Sequence, residues 1–248
     1  MNKFVPIPIL FTICLILVFL SSCGKETEKL DESVFGYNYF PLAPNKSWTY
    51  MSDSIVYSNS GAERDTFKSF IKEQVGDSMV DASGNTFYKI SRFFKRNETD
   101  NWTKINTWTV SKDKSRAIRT EENLKFVKLV FPIKKGLRFD GNVFVDEDLK
   151  IDINGEILEP YKNWKHRIEE INEPFAFNGT NIKSLKINLV DETSIIDRRK
   201  VTEYYGENIG LMKKEMTILD SDGSRPNDPW DKKAQKGFIH TLTLIDYN

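Results

Sequence analysis

The chain has 248 residues, with 36 Lys+Arg against 36 Asp+Glu and a formal net charge of zero, which removes the broad positive field that non-specific nucleic-acid binding needs. Hydrophobic residues make up 39% and aromatics 12%, too rich for a disordered chain. Gly at 13 and Pro at 9 fall short of a collagenous or low-complexity composition, so one globular core without a nucleic-acid partner is expected.

In chain order the first element is a targeting segment. Lys3 precedes 17 uncharged residues, 4–20, interrupted by Pro6 and Pro8. A stable membrane span needs about 20 apolar residues. A basic start, a short apolar stretch and small residues before a polar switch instead mark a secretory signal. Leu20-Ser21-Ser22-Cys23 looks like a bacterial lipobox, and the resemblance implies diacylation of the Cys23 thiol, cleavage before it and acylation of the new amine. The expected division is 1–22 as signal peptide, 23–36 as lipidated cysteine with a polar tether, and 37–248 as a single all-β domain. Cleavage discards Cys14, so the mature chain keeps no free thiol and no cysteine metal site or nucleophile. Two or three acyl chains, at ~0.8 kcal/mol per buried CH₂, make membrane attachment lasting. Gly24 resembles the sorting signal for the outer membrane, and Lys25-Glu26-Thr27-Glu28 resembles a surface-export signal of Bacteroidota lipoproteins. Both the periplasmic and the external face stay open.

From residue 46 onward apolar and polar residues alternate with period two, the mark of half-buried strands. The runs are 46–57, 66–75, 87–95, 102–110, 115–120, 124–131, 164–171, 183–190, 200–205, 211–220 and 236–246. Asn59-Ser60-Gly61, Ser83-Gly84-Asn85, Asp140-Gly141-Asn142, Asn154-Gly155, Asn178-Gly179 and Asp222-Gly223 supply the positive φ of tight reversals. The best helical candidate, 157–163, is short and contains Pro160. The fold class is therefore all-β, a large curved antiparallel sheet forming a half-barrel or sandwich, because so many strands curl, close or split into layers. Strands with large residues on both faces, including 124–131, are expected in the middle of the sheet. Residues 132–163 and 221–235 lack a clean pattern and are the first places to look for mobility or contacts.

Chemistry-bearing residues are sparse. Of the two histidines, His240 is in phase with Phe238, Leu242 and Leu244 and reads as packed in a strand, while His166, between Lys165 and Arg167, reads as solvated. No nucleophile elbow, His-Glu-x-x-His, phosphate loop or dinucleotide fingerprint occurs. Acidic groups at Asp146-Glu147-Asp148 and Asp220-Ser221-Asp222 depart from a calcium loop and read as turns, so no metal or cofactor is expected. Glu169 and Glu170 point to opposite faces of a strand, which speaks against a glycosidase pair. The basic groups Arg198-Arg199-Lys200 and Lys213-Lys214 read as solvated strand faces. Aromatics are in excess: Tyr37, Tyr39, Phe40, Trp48 and Tyr50, then Trp102, Trp108, Trp164 and Trp230. They fill a sheet core, or line a concave face that holds an acyl chain or stacks a sugar ring. On the second reading the ligand-binding residues are Trp48, Tyr50, Trp102 and Trp108.

Tyr39-Phe40-Pro41-Leu42 with Asn45-Lys46-Ser47-Trp48-Thr49-Tyr50, then Asn123 through Pro132 (NLKFVKLVFP), Glu173-Pro174-Phe175 and Gly206 through Glu215 (GENIGLMKKE) resemble a family of Bacteroidota outer-membrane lipoproteins of unknown function. The resemblance runs from about residue 37 to the C-terminus. It implies a lipobox, an all-β body and no assigned activity. Asp53-Ser54-Ile55 and Asp77-Ser78-Met79 also resemble the O-glycan acceptor of this phylum. The expected function is a non-enzymatic lipid-anchored envelope protein that binds an apolar or glycan ligand or an envelope protein partner. The alternatives are a hydrolase built around His240 and a purely structural assembly protein.

Overall fold

The computed structural model describes residues 32–248; the signal peptide and Cys23 lie outside the described residues. The strands are β1 Ser47–Ser58, β2 Glu63–Val80, β3 Thr86–Lys95, β4 Thr103–Lys112, β5 Arg116–Glu121, β6 Leu124–Val130 and β7 Arg138–Phe139. There follow β8 Ile151–Ile153, β9 Glu156–Leu158, β10 His166–Phe177, β11 Thr180–Thr193, β12 Asp197–Gly206, β13 Gly210–Asp220 and β14 Lys236–Tyr247. Among the described residues the one α-helix is α1, Trp230–Lys233. The expected all-β class is what the chain adopts.

Twelve strands form one antiparallel sheet in the order β6-β5-β4-β3-β2-β1-β14-β13-β12-β11-β10-β7, and β8 with β9 makes a separate hairpin. The order describes two meanders, β1–β6 and β10–β14, stitched along β1 and β14. A sheet of this width twists and curls. Here it curls until its edges meet: the Val127 N–H of β6 donates to the Gly141 carbonyl, just past β7, at 2.8 Å. The result is a nearly closed barrel.

Period two decides what faces inward. Trp48 and Tyr50 on β1, Ile71, Glu73 and Val75 on β2, and Leu185, Ile187 and Leu189 on β11 are all buried. Asn154-Gly155 and Asn178-Gly179 take the positive φ expected of hairpin turns. The β5–β6 turn does so without glycine, at Glu122 (φ 47) and Asn123 (φ 68).

Four sequence expectations need correction. Strand β6 is an edge, not a central strand; its two-sided apolarity is covered by the returning connection, with Phe126 packed on Tyr161. Residues 157–163 form no helix: β9 runs through Leu158, and the Pro160 carbonyl accepts the Trp164 indole N–H at 2.8 Å. Residues 132–163, the first place to look for mobility or contacts, seal the seam. Leu137 and Gly136 exchange backbone hydrogen bonds with Ile168 at 2.9 and 2.8 Å. Finally, Asp140-Gly141-Asn142 is not a tight hairpin turn, and His166 is not solvated. His166 follows the inward phase of Ile168 and is 4% exposed, with the Gly141 N–H donating to its Nδ1 at 3.3 Å.

The chain enters the barrel through two 3₁₀ turns, Glu32–Phe35 and Tyr37–Tyr39. Residues 32–36 therefore touch the body, and the Phe35 carbonyl accepts the Ile133 N–H at 3.0 Å. Beyond them residues 37–42 run across one end as a strap. Tyr39 Oη donates to Asn172 Oδ1 at 2.7 Å, Asn38 Nδ2 to Glu207 Oε1 at 2.8 Å, and Lys112 Nζ to the Phe40 carbonyl at 2.8 Å.

A Cβ on Gly141 would lie 2.3 Å from His166 Nε2. Gly141→Ala is expected to force the seam apart and cost about 1–3 kcal/mol by overpacking. Urea denaturation reads the loss; an unchanged midpoint would mean that the seam is not packed on the imidazole.

Candidate functional site

The barrel interior holds two cavities. The larger, about 260 Å³, is walled by Phe40, Leu42, Trp48, Ile71, Ile90 and Leu242 on its apolar side. This volume approaches the lower end of the ~300–1,000 Å³ usual for ligand clefts. The smaller, about 130 Å³, lies among Phe126, Tyr161, Trp164 and His166. Glu121, Lys128, Glu203, Lys214 and Met216 line both, so the two spaces share an ionic partition.

That partition is part of a longer row of inward-facing charges. Glu73 Oε1 accepts from Arg92 Nε at 3.1 Å and Arg119 Nη2 at 2.5 Å. Arg119 Nε is 3.2 Å from Glu121 Oε1, which lies 3.9 Å from Lys128 Nζ. Lys128 Nζ donates to Glu203 Oε1 at 2.6 Å, and Lys214 Nζ stands 3.5 Å from the same oxygen. The row reads Arg92, Glu73, Arg119, Glu121, Lys128, Glu203, Lys214: cation and anion alternate, and both ends are cations. Tyr205 Oη donates to Glu203 Oε2 at 2.6 Å. Both guanidinium groups lie over the Trp108 ring, at 3.6 and 4.5 Å from its centroid.

Electrostatics follow the geometry. Burial opposes ionisation of Glu203, but Lys128 and Lys214, with hydrogen bonds from Lys128 and Tyr205, overcome it and hold the carboxyl down to about 2. For Lys128 burial opposes the charge, and Glu203 and Glu121 outweigh it, so its pKa is raised. Lys214 differs: burial and the neighbouring Lys128 prevail, and its pKa is lowered. His240 Nε2 is 3.0 Å from Ser52 Oγ, both on the cavity wall. Burial, then Lys214 and Arg92, pull His240 down to about 4.

Of the four aromatics nominated from sequence, Trp48, Tyr50 and Trp108 line the larger cavity. Trp102, just before β4, lines neither cavity and sits under Lys95 Nζ at 4.9 Å. Trp48 Nε1 donates to the Ile209 carbonyl at 2.6 Å and Tyr50 Oη to the Leu211 carbonyl at 3.0 Å. The polar atoms of both rings are thus spent on the protein, and what remains toward the cavity is apolar surface. Lys214 and Arg199, read from sequence as solvated, are drawn inside: Lys214 lines both cavities, and Arg199 is 3% exposed and bonded to Asp220 at 2.6 Å. A local signal marks these positions. Lys128, Glu203 and Lys214 each have apolar residues two positions away on both sides, the phase of an inner face. Among the described residues no group of three or more His, Cys, Asp or Glu gathers as metal ligands.

No family model matches the chain, and no curated protein sequence does. Among solved structures it is similar to a candidate lipoprotein from Parabacteroides distasonis, at 11% identity and a TM-score of 0.36, covering 85% of this chain and 98% of that one. It is also similar to a candidate exported protein with a YmcC-like fold from Bacteroides fragilis, at 11% identity and a TM-score of 0.39, covering 84% and 98%. At this identity neither likeness assigns an activity.

Acid should unfold the barrel in a defined window. His240 is drawn from its ordinary 6.5 to about 4, and His166 to about 3. Below pH 6.5 the unfolded chain takes protons that the folded one refuses, so stability present at neutral pH falls as pH drops toward 3. Glu203, at about 2 against its ordinary 4.5, adds a further loss below 4.5, of the same sign. Tm followed against pH is expected to decline from about 6.5 downward, and His240→Gln to flatten the limb between 6.5 and 4. Equal slopes for the two proteins would contradict the buried neutral imidazole.

Proposed function

We propose that this protein is a lipid-anchored envelope lipoprotein of the outer membrane whose barrel holds an apolar ligand and carries out no reaction on it. The observation that supports the reading best is the larger cavity, walled by Phe40, Leu42, Trp48, Ile71, Ile90 and Leu242. Apolar walls with a few convergent polar groups are the usual makeup of a small-molecule site. Because the Trp48 and Tyr50 polar atoms are bonded to carbonyls, the walls suit an acyl chain better than a sugar. A purely structural protein predicts a filled interior, and the two cavities weigh against it.

The anchor in this reading comes from the lipobox at Cys23. The strap that walls one side of the cavity begins 14 residues after that cysteine, a reach of at most about 50 Å for an extended chain.

The hydrolase alternative has one observation in its favour, the 3.0 Å contact between Ser52 Oγ and His240 Nε2. A general base works best with a pKa near the operating pH. Burial, with Lys214 and Arg92 adding to it, holds His240 far below that, which favours a neutral hydrogen-bonding pair over a nucleophile and its base.

Two measurements test the proposal. The chain from residue 23 carrying Cys23→Ser contains every described strand and both cavities. Purified without detergent, it is expected to retain an amphiphile in native mass spectrometry; a bare protein mass that gains no fatty acid or lipid on incubation would refute the ligand. In cells, Cys23→Ser is expected to move the full-length protein from the membrane to the soluble fraction, and unchanged membrane association would refute the anchor.

A further inference from the structure

The alternating row of charges leaves a gap in one place. Around the barrel, Arg92 on β3 and Glu73 on β2 are followed by Ser52 on β1, His240 on β14 and Lys214 on β13. All five line the larger cavity. Ser52 and His240 are a neutral, mutually bonded pair, so on this side the last carboxylate before Lys214 is Glu73, which is already shared by Arg92 and Arg119.

The ends are not equivalent. Arg92 is bonded to Glu73 and Asn106, lies 3.9 Å from the exposed Glu122 carboxylate, and stacks on Trp108. Among the described residues the ion-pair partner of Lys214 is Glu203, at 3.5 Å, and Lys214 must share that oxygen with Lys128, which is nearer at 2.6 Å. Four cations face three carboxylates on the cavity wall, and a buried charge without a partner is costly. The uncompensated charge sits on Lys214, whose ammonium is correspondingly destabilised by burial and by Lys128.

We propose that the ligand of the larger cavity is a single-chain anionic amphiphile. Its acidic group occupies the gap between Lys214 and Arg92 beside Ser52 and His240, and its tail lies along Phe40, Leu42 and Trp48. The inference rests on the apolar-ligand reading above and adds the charge, the orientation and the residue that selects for them. The acid group completes the alternation of the row: an anion beside Lys214 restores the equality of charge that the side chains of the cavity wall lack. It also finds a hydroxyl at Ser52 to donate to it and the guanidinium of Arg92 across the gap. A cavity of about 260 Å³ suits one chain rather than the two of a diacyl lipid. Carboxylate and phosphate share this chemistry, so a free fatty acid and a single-chain phosphate ester are both admissible sources.

The test is isothermal titration of the Cys23→Ser chain from residue 23, at neutral pH, with dodecanoate, dodecyl phosphate and dodecanol. Hydrogen bonding to a charged group is worth a factor of about ten or more in affinity. At least one of the two anions is expected to bind about tenfold more tightly than the alcohol, and which one does so identifies the source. Lys214→Met is expected to bring the anions down to the affinity of the alcohol while leaving the alcohol within about twofold, which also shows that the barrel is intact. Lys214→Arg is expected to keep the preference. Dodecanol binding the wild-type chain as tightly as both anions would overturn the anionic assignment and leave the apolar-ligand reading standing. Persistence of the preference in Lys214→Met would overturn the role of Lys214. Failure of all three compounds to bind would refute the ligand-binding function itself.

Discussion

The structure depends on the cost of placing seven ionic side chains inside a β-barrel. Each ion taken from water costs several kcal/mol, and the attraction between partners compensates only with close geometry and further hydrogen bonds. The row solves this by sharing: Glu73 takes two guanidinium groups on one oxygen, and Glu203 takes Lys128 and Lys214 on one oxygen and Tyr205 on the other. The partners come from β2, β3, β5, β6, β12 and β13, so the row ties both meanders together across the interior. Four of its members, Glu121, Lys128, Glu203 and Lys214, line both cavities.

Much of this was legible in the sequence, and the reason is local. Period-two alternation with Asn-Gly reversals between runs predicted eleven strands, and each corresponds to an observed one; the three remaining strands are two or three residues long, too short to show a period. The Glu122-Asn123 turn escaped notice because it reaches positive φ without glycine. What the sequence hid is the pairing across the interior. Arg119 and Glu73 are 46 residues apart, Lys128 and Glu203 are 75 apart, and no local pattern joins them. Charges such as Lys214 in Lys213-Lys214 were therefore read as solvated, although one member of any adjacent pair on a strand must face inward. Met212 and Met216, two positions to either side, mark Lys214 as that member.

The aromatic excess has a divided explanation. Trp48 and Tyr50 spend their polar atoms on carbonyls and offer ring surface to the cavity, Trp108 stacks beneath two guanidinium groups, and Trp164 walls the second cavity with Tyr161. Trp230 stacks under Lys233 in α1. Trp48, Tyr50 and Trp164 do both at once, belonging to the hydrophobic core and lining a cavity.

The most direct measurement is a crystal structure of the protein loaded with an ω-brominated dodecanoate, located by the anomalous signal of the bromine. The account predicts bromine among Phe40, Leu42 and Trp48 and the carboxylate in hydrogen-bond contact with Lys214. Bromine on the outer face of the sheet, or a carboxylate at the strap with Lys214 still paired only to Glu203, would contradict it.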